Sequence, residues 1–574
     1  MSALAAVVAL PFALGGAPGL LAASLALPLL MLLACLWPGA RYRMVNGLAL
    51  APLPGLWAAL TASGTTLDLP PLLLRLRLAL DLPGAILLGT AALLWALGGL
   101  YAAGWLRGDP RRGRIAVWWL LTLTGSLGVF IAADLVSFYL LYSLVSLAAY
   151  GLVIEAATDA SQRGDTQRVG LIYVAFAVFG EALLLIGFVM LAQAAPGGSG
   201  MIQQAVAALP HSAYRNVVPA LIILGFGVKI GMVPFQSWMP ITYRTAPIPA
   251  AAMMSGAAVK AGVIGLIRFL PLGVGLPGWG QAMVVLGFVS AFYGALVGLR
   301  QGNPRGVLAF SSISQMGVIV AVFGMGLASG DAAVALAAAF YGAHHTLVKG
   351  GLFLGVGLAP LAGARRTWLV LAPAAIMALG MAGLPLTGGY LAKLAIKPVL
   401  GYGLVGVLGM LSSAATAMLM THFLYRVAAL PRVTEITALP RVTEASVVPR
   451  VAAALPRALA GPWLAVAMAS VVVPWLLFLG LMDQSLADIL ALGPLIESVL
   501  PVAVGVALGW GWRRLGSGLP EDQAFVVPVS ANVARAALSV GAAIERVDAI
   551  ARLWPVATVS LLALVLALAA LMWI

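Results

Sequence analysis

Long apolar runs follow one another along the whole chain, and short polar connections separate them. Several runs reach about 18 residues or more, which is enough for a helix to cross the hydrocarbon core of a bilayer. The strict apolar–polar alternation that a membrane β-barrel requires is not seen in the sequence. The pattern predicts an all-α polytopic membrane protein with about 14–16 transmembrane helices, and residues 44–62 are one of the predicted spans.

Composition agrees with this pattern. Of the 574 residues, 62% are hydrophobic and only 9% are charged, and a soluble chain of this length could not cover its surface with so few charges. The single cysteine, Cys35, excludes intrachain disulfides and any cysteine-based metal or redox centre. The stretch "MSALAAVVALPFALGG" has no positively charged region before its apolar part, so we do not expect a cleaved signal peptide.

The net charge of +14 would suggest nucleic acid as a partner for a soluble protein, but here the arginines lie in short connections, where they set topology. They occupy alternate connections, with the segment 63–82 (Arg75 and Arg77) as an exception. By the positive-inside rule the N-terminus is outside and the arginine-bearing loops are cytoplasmic, in a prokaryotic cell (inner) membrane. Those loops contain Arg41 and Arg43, residues 107–114, Arg163 and Arg168, Arg244, Arg300 and Arg305, Arg365 and Arg366, Arg426 and the residues after it, and Arg513 and Arg514.

Two apolar runs are interrupted in comparable ways. "KIGMVPFQSWMP" (229–240) and "AGLPLTGGYLAKLAIKP" (382–398) each combine a helix-breaking proline, Pro234 or Pro385, with a nearby lysine. Irregular backbone at membrane depth survives only where it is buried in protein or lines a wet cavity. Broken helices in corresponding positions of two halves are typical of transporter sites, so these breaks are predicted to lie at an ion path.

The chain has five lysines among its 32 basic residues, and all five lie within or beside apolar runs: Lys229, Lys260, Lys349, Lys393 and Lys397. Arginine stays charged in almost any protein environment, whereas a buried lysine can exchange a proton. An ionisable residue at membrane depth is costly and is a functional candidate by default. We therefore predict a proton-relay role for Lys229, Lys260 and Lys393. Snorkelling toward the membrane surface is the alternative, and it suits Lys397 best.

Histidines follow the same distribution. His344 and His345 lie in the apolar run "AAAFYGAHHTLVKGGLFLGVG", and His345 is on the same helix face as Lys349 at i, i+4. Histidine titrates near neutrality, so it suits a step between lysines. The charge of Lys229 needs a compensating carboxylate, and Glu181, deep within "YVAFAVFGEALLLIGFVML", is the best candidate.

These residues and their surroundings resemble the antiporter-like subunits shared by respiratory complex I, Mrp sodium/proton antiporters and membrane-bound hydrogenases. The resemblance covers residues 83–426, with several motifs in the same order. They are "GLYAAGWLRGDPRRGR", "ADLVSFYLLYSLVSLAAYGLVI", "GFGVKIGMVPFQSWMP", "APIPAAAMMSGAAVKAGVIGLIRF", "GNPRGVLAFSSISQMG", "HHTLVKGGLFLGVG" and "GLPLTGGYLAK". The resemblance implies two inverted five-helix repeats, each with one broken helix.

The resemblance also implies roles for individual residues. Lys229 matches the lysine of the first broken helix, Lys260 that of the following helix, and Lys393 that of the second broken helix. Lys349 and its neighbouring histidines match the central relay. One departure concerns the glutamate that the family pairs with the first lysine: this chain has Ser143 in its place, and we expect Glu181 to substitute for it.

Together these observations predict five parts. They are N-terminal transmembrane helices (1–82), a first repeat region (83–270), a second repeat region (271–426), a cytoplasmic Pro/Arg linker (427–459), and C-terminal helices with a lateral helical segment and a last anchor (460–574). The linker repeats "LPRVTE" and is read either as a duplicated, extended connection or as a docking site for a partner subunit.

The function implied is translocation of protons, or of sodium ions, by a subunit of a multisubunit membrane complex that redox chemistry drives. A subunit of an Mrp-type antiporter or of an inorganic-carbon uptake complex is the first alternative, and a non-conducting membrane anchor is the second. The sequence shows no nucleotide-binding loop, metal cluster or nucleophile constellation. The glycine-containing stretch "GFGVKIG" is not a dinucleotide-binding motif, because it lies inside a membrane span. We expect other membrane subunits and the lipid bilayer as partners, and no redox cofactor held by this chain itself.

Overall fold

A computed structural model describes residues 15–69, 76–157, 160–363, 366–431, 455–482 and 484–515. Ten helices in this part of the chain are long and apolar enough to cross a membrane, which confirms the all-α polytopic class. All the described residues belong to one compact unit, Met1–Leu519. Most of the predicted linker, and the predicted lateral segment with its anchor, lie outside the described residues.

The N-terminal part corrects one prediction. The predicted span 44–62 is not a single helix: one helix ends at Met44, a 3-10 turn follows at Val45–Gly47, and a helix of only nine residues, Leu53–Thr61, begins after Pro52. The next segment pairs as an antiparallel hairpin in which Thr66 faces Ala79. The elements are α1 (Gly16–Ala34), α2 (Pro38–Met44), α3 (Leu53–Thr61), β1 (Thr66–Leu69) and β2 (Leu76–Ala79).

The first repeat region contains one helix broken in the middle and one with a π-helical turn. The elements are α4 (Leu82–Trp105), α5 (Arg112–Gly128), α6 (Leu135–Ile154), α7 (Ala160–Ala194), α8 (Ile202–Ala208), α9 (Val217–Ile230), α10 (Trp238–Thr245), α11 (Ile248–Met253), a π-helix (Met254–Ala258) and α12 (Lys260–Phe269).

The predicted second repeat region (271–426) also contains one helix broken in the middle. The elements are α13 (Pro277–Gly298), α14 (Pro304–Ser329), α15 (Val334–Leu358), α16 (Thr367–Ala382), α17 (Gly388–Leu400) and α18 (Leu404–Ala428). Three helices follow: α19 (Arg457–Leu481), α20 (Leu486–Ile489) and α21 (Leu492–Leu515). Short 3-10 turns occur at Val45–Gly47, Pro196–Gly198, Leu209–His211 and Ala359–Leu361.

The first break separates α9 from α10. Gly231 ends α9 in the left-handed conformation, with φ +71°, which favours glycine. The polar backbone groups released by the break find partners within the bundle: Trp238 Nε1 donates to the carbonyl of Val228 (2.9 Å), and the backbone N–H of Val233 donates to Ser290 Oγ (3.0 Å). The break is therefore satisfied by protein groups.

The second break separates α16 from α17. Gly383 ends α16 with φ +102°, and Leu386 within the break also has a positive φ of 64°. Pro385 lies between them, so the chain leaves the helix at the predicted place. A non-glycine residue at positive φ costs free energy, and its presence next to Gly388 marks a backbone held in place by its surroundings.

The connections separate into two groups by their contacts. The arginine-poor connections contact one another. Leu78 of the hairpin forms an isolated β-bridge with Ala132, and Asp134 forms one with Met201. Asp134 also begins α6 by accepting the backbone N–H of Ser137 at 2.8 Å. Arg77, one of the two exceptional arginines of segment 63–82, thus belongs to the arginine-poor end, since its backbone N–H donates to Asp134 Oδ2 at 3.1 Å.

At the other end, arginines bind carbonyl groups of neighbouring connections. Arg111 donates to the carbonyls of Glu155 (2.8 Å) and Ala157 (2.9 Å), and Arg305 donates to that of Tyr243 (2.8 Å). Burial alone would raise the pKa of Asp109, but hydrogen bonds from the Arg111 side chain and backbone outweigh it and hold the pKa below its usual value. These arginines cap helix ends as well as adding positive charge.

The centre of the bundle holds the helices that carry ionisable residues. The apolar windows of Ile248–Phe269 and Pro304–Ser329 are 100% buried, whereas those of α19 and the segment Leu486–Trp512 are 22% buried. Helix α15 packs against both central segments, and its residues from Ala337 to Leu358 are buried. Charged residues placed on these helices therefore lie far from the bundle surface.

Candidate functional site

Lys229 occupies the last turn of α9, directly before the first break, and is buried. Its Nζ donates to Ser146 Oγ on α6 at 2.8 Å and lies 5.6 Å from the centroid of the Tyr142 ring. Gly262 of α12 packs on the same turn, because a Cβ there would lie 3.3 Å from Cβ of Lys229. Lys229 thus lies between α6, α9 and α12.

Glu181 lies beside this lysine, on α7, and is also buried. Ser143 Oγ donates to its Oε2 at 2.9 Å, and Ser146 is within hydrogen-bonding reach of the same carboxylate. The charges of Glu181 and Lys229 are close enough to interact, with the hydroxyl of Ser146 between them. The structure thus brings together the replaced position, Ser143, and its expected substitute.

Lys260 follows a π-helical turn. The backbone N–H of Val259 donates to the carbonyl of Met254 at 3.1 Å, which is the i→i+5 bond of a π-helix. The side chain of Lys260 folds back on this turn and donates to the carbonyl of Gly256 at 3.1 Å. The wider turn exposes a carbonyl to a lysine that is completely buried. Such turns recur at functional sites, and no feature of the sequence predicted this one.

Lys260 also meets His345 across the interface between the two repeat regions. Its Nζ lies 2.8 Å from His345 Nδ1, which joins α12 to α15. A charged lysine donates in this contact, so Nδ1 accepts and the ring carries its proton on Nε2. A neutral lysine can instead accept from a protonated Nδ1. The contact is therefore one across which a proton can be exchanged.

Lys349 lies one turn after His345 on the same face of α15. Its Nζ donates to the carbonyl of Leu308 at 2.8 Å and to Ser311 Oγ, both on α14. Its ammonium interacts electrostatically with Lys260. Lys260, His345 and Lys349 therefore form one buried cluster between α12, α14 and α15, which we call the central cluster.

His344 points toward the second break. A Cβ on Gly388 or on Gly389 would lie 2.9 Å from one of its ring nitrogens, so the ring packs on the first turn of α17. Neither ring nitrogen has a hydrogen-bond partner among the described residues, although the ring is buried. Its charge interactions are with Lys393 and Lys260, which places it between the central cluster and the second break.

Lys393, on α17, is half-buried, and its Nζ donates to Ser413 Oγ on α18 at 2.6 Å. Its stem packs on Gly383, where a Cβ would lie 2.8 Å from Cδ of the lysine. Lys397, one turn later, forms an ion pair with Glu497 of α21. The ammonium of Lys397 therefore has a carboxylate partner within the protein, while 31% of its side-chain surface stays accessible.

A hydrogen-bonded bridge that the sequence analysis missed joins three helices of the second repeat region. Tyr341 Oη donates to Gln315 Oε1 at 2.5 Å, and Gln315 Nε2 donates to Thr416 Oγ1 at 3.0 Å. All three side chains are buried. Hydroxyl and amide residues at polar positions within apolar runs, as in "SSISQ", were the available signal.

Comparison with known proteins places these residues in a wider context. The pattern of the family described as NADH:quinone oxidoreductase/Mrp antiporter, TM matches residues 132–421. Hydrogenase-4 component B of Escherichia coli (strain K12) is 29% identical over 295 residues, which cover 49% of this chain and 43% of that protein. Na(+)/H(+) antiporter subunit A1 of Staphylococcus aureus (strain JH9) is 30% identical over 318 residues, covering 51% and 39%. The matched region spans less than half the length of these curated relatives.

Solved structures with the same fold extend over almost the whole chain. One is a chain of the Mrp complex from Dietzia sp. DQ12-45-1b, with a TM-score of 0.68, 22% identity, and coverage of 99% of this chain and 62% of that chain. Another belongs to the membrane-bound sulfane sulfur reductase (MBS), an archaeal respiratory membrane complex, with a TM-score of 0.67, 21% identity, and coverage of 96% and 99%. At these identities the likeness concerns the fold.

Proposed function

Because the chain belongs to the NADH:quinone oxidoreductase/Mrp antiporter transmembrane family, we propose that it is an ion-translocating, antiporter-like subunit of a multisubunit membrane complex. It moves protons through buried lysines and histidines, and sodium is the alternative ion. The path runs from Glu181 and Lys229 through the central cluster to the second break. The path residues are Glu181, Lys229, Lys260, His344, His345, Lys349 and Lys393.

The observation that carries this proposal is the contact of 2.8 Å between Lys260 Nζ and His345 Nδ1. Both residues are buried, and they lie on helices of different repeat regions. Two like charges at short range in a low dielectric repel strongly. Protonation of one member therefore displaces charge from the next, and this repulsion can carry a change of protonation from one repeat to the other.

In the first repeat region, Glu181 supplies the counter-charge that the family glutamate provides elsewhere. Ser143 orients its carboxylate at 2.9 Å, and Ser146 lies between it and Lys229. A buried ammonium without any compensating charge would be costly. The first region thus keeps an acid–lysine pair despite the departure at position 143.

The driving partner is the part of the proposal that rests on similarity alone. Likeness to hydrogenase-4 component B and to the MBS complex favours a redox-driven complex, in which this chain holds no redox centre of its own. Likeness to Na(+)/H(+) antiporter subunit A1 favours an Mrp-type exchanger as the second candidate. The division into repeat regions 83–270 and 271–426 and the orientation with the N-terminus outside, in a prokaryotic cell membrane, belong to the same proposal.

The test is ion movement in vesicles that contain the whole complex. Lys260→Met keeps an unbranched side chain of nearly the same length and removes the titratable amino group, so proton uptake should be lost while the complex still assembles. Lys397→Arg, outside the central cluster, is the matched control and should retain most of the uptake. Parallel measurement with a pH-sensitive dye and with radioactive sodium identifies the ion. Full proton uptake by the Lys260→Met protein would favour the non-conducting anchor.

A further inference from the structure

A cleft opens between α17, α18 and α21, beside the second break. It encloses about 1030 Å³ of space, part of which lies open at the surface. Its wall includes Lys393, the last lysine of the proposed path, so that residue reaches a space that water can occupy. The titratable side chains that line the cleft are Tyr390, Lys393, Lys397, Tyr402 and Glu497.

The two lysines of the cleft differ in their partners. They lie one turn apart on α17 and line the same cleft. Lys393 donates to a neutral hydroxyl, Ser413 Oγ, at 2.6 Å. Lys397 forms an ion pair with Glu497 and lies 5.1 Å from the centroid of the Tyr402 ring. Only the second lysine is therefore held by a carboxylate.

Two hydrogen bonds hold the C-terminal helices against this part of the fold, one from α21 to the second break and one from α17 to α20. Ser498 Oγ, the residue after the glutamate, donates to the carbonyl of Gly383, the first residue of the break. Tyr390 Oη, on the first turn of α17, donates to the carbonyl of Ile489 at 2.5 Å. The start of α21 is thus positioned by the break itself rather than by apolar packing alone.

We propose that this cleft is the route between Lys393 and the membrane surface, and that Glu497 is its charge gate. Glu497 is a positioning residue, because it acts by neutralising Lys397. The inference rests on the proposed function, since it assigns the outermost step of the same proton path. The family pattern ends at residue 421, so α21 supplies a group that the family-defining region does not contain.

The physical reason is repulsion along α17. A proton that moves between Lys393 and the surface passes Lys397, and two ammonium groups one turn apart repel each other. Paired with Glu497, Lys397 presents no net charge to the route. Both partners stay partly exposed, with 31% and 52% of their side-chain surface accessible, so the pair lies on the open side of the cleft. In a different role, that of a clasp, the ion pair would only hold α21 against α17. Its attraction would then matter, but the net charge that it presents to the proton route would not.

Three variants separate the gate from the clasp. Glu497→Gln leaves a bare positive charge and should slow proton uptake roughly tenfold, as like-charge repulsion in a partly hydrated cleft would do. Lys397→Gln should stay within about twofold of the wild type, because no positive charge blocks the route. The double variant Lys397→Gln/Glu497→Gln should recover most of the uptake. Asp331→Asn, an exposed carboxylate between α14 and α15, is the matched control and should not change it.

The measurement is proton uptake in vesicles containing the whole complex, normalised to the amount of assembled complex. Near-normal uptake by Glu497→Gln, or equal losses in both single variants and the double variant, would overturn the gate. Lys260→Met is run beside them: if it transports normally, the path itself is wrong. If Lys260→Met is inactive and Glu497→Gln is normal, only the gate is wrong.

A chemical version avoids any effect on folding. Glu497→Cys in a Cys35→Ser background is assembled first and then treated with methanethiosulfonate reagents. A sulfonate-bearing reagent restores the negative charge and should raise uptake, whereas a trimethylammonium-bearing reagent adds a positive charge and should lower it further. Equal effects of the two reagents, or no reaction at position 497, would contradict a water-filled gate.

Discussion

At the residue scale, the buried lysines share one property: their hydrogen-bond acceptors are neutral. An ammonium group held by a carboxylate resists deprotonation, whereas a hydroxyl, a carbonyl or an imidazole can partner the amine in either state. Lys397, paired with Glu497, differs from the rest. The pairs are Lys229 with Ser146, Lys260 with Gly256 and His345, Lys349 with Leu308 and Ser311, and Lys393 with Ser413.

Arginine should not replace lysine in the first break. Lys229→Arg keeps the positive charge but gives up accessible deprotonation. It should lower proton uptake in vesicles roughly tenfold or more, about as severely as Lys229→Ala, since a positioned proton-transfer group contributes about 10²–10⁴ in rate. Membrane insertion should be unchanged. Lys397→Arg, which keeps its partner Glu497, should be mild, and near-normal uptake by Lys229→Arg would favour a structural charge.

The carboxylate near Lys229 should be exchangeable between two positions. Glu181→Gln removes the counter-charge and should lower proton uptake strongly. Adding Ser143→Glu in that background should recover part of it, because Ser143 Oγ lies only 2.9 Å from the Glu181 carboxylate. Proton uptake in vesicles with the whole complex is the measurement. Unchanged uptake in Glu181→Gln would show that the first repeat region does not conduct or takes its acid from a partner subunit.

At the scale of elements, irregular turns place the ionisable residues. The π-helix Met254–Ala258 turns Lys260 toward a free carbonyl, and the two breaks end helices beside Lys229 and Lys393. The π-helix is buried, and each irregular turn has protein partners for some of its released polar groups, although Pro234 and Leu386 in the two breaks are exposed. The regular helices set the depth of each ionisable residue in the membrane, and the irregular turns determine which neighbouring residues its side chain contacts.

The second break should not tolerate a side chain at its closest approach. A Cβ at Gly389 would clash with the carbonyl oxygen of Gly380 and lie 2.9 Å from the ring of His344. Gly389→Ala should therefore lower the stability of the folded chain by roughly 1–3 kcal/mol, as overpacking does. Gly403→Ala, where a Cβ meets nothing within 4 Å, is the matched control. Thermal unfolding of the purified proteins in detergent compares them, and equal melting temperatures would contradict the close packing.

At the scale of the whole molecule, the ionisable residues form a line through the buried centre. The line passes from α9 through α12 and α15 to α17, and both central segments, Ile248–Phe269 and Pro304–Ser329, are completely buried. The C-terminal helix α21 closes the last cleft with residues from beyond the family-defining region. The proposed ion path therefore draws on both predicted repeat regions and on a helix outside the family-defining region.

The orientation of the molecule can be tested with single cysteines. Cysteines at 110 and 440 in a Cys35→Ser background should resist an impermeant thiol reagent added from outside, because both positions belong to arginine-bearing connections. Gln203→Cys, in α8 at the arginine-poor end, should react readily. Labelling of 110 and 440 from outside, with protection of 203, would reverse the orientation.

The sequence alone determined the fold class, the places of both breaks and the identity of the buried lysines. These are local properties, since the length of an apolar run and the cost of a charge within it depend on neighbouring residues in the chain. The same local logic was wrong for residues 44–62, where prolines shorten the helix, and it missed the hairpin of the next segment.

Only the tertiary structure decided what each ionisable residue meets. Lys397 and Glu497 are 100 positions apart, and Lys260 and His345 are 85 positions apart. Such contacts arise from how helices pack against one another. A single sequence does not show which residues of two helices will face each other when those helices are distant along the chain. Ser146 between Lys229 and Glu181, and the π-helix before Lys260, likewise follow from packing, because several rotations of an apolar helix bury its surface equally well in lipid or in protein.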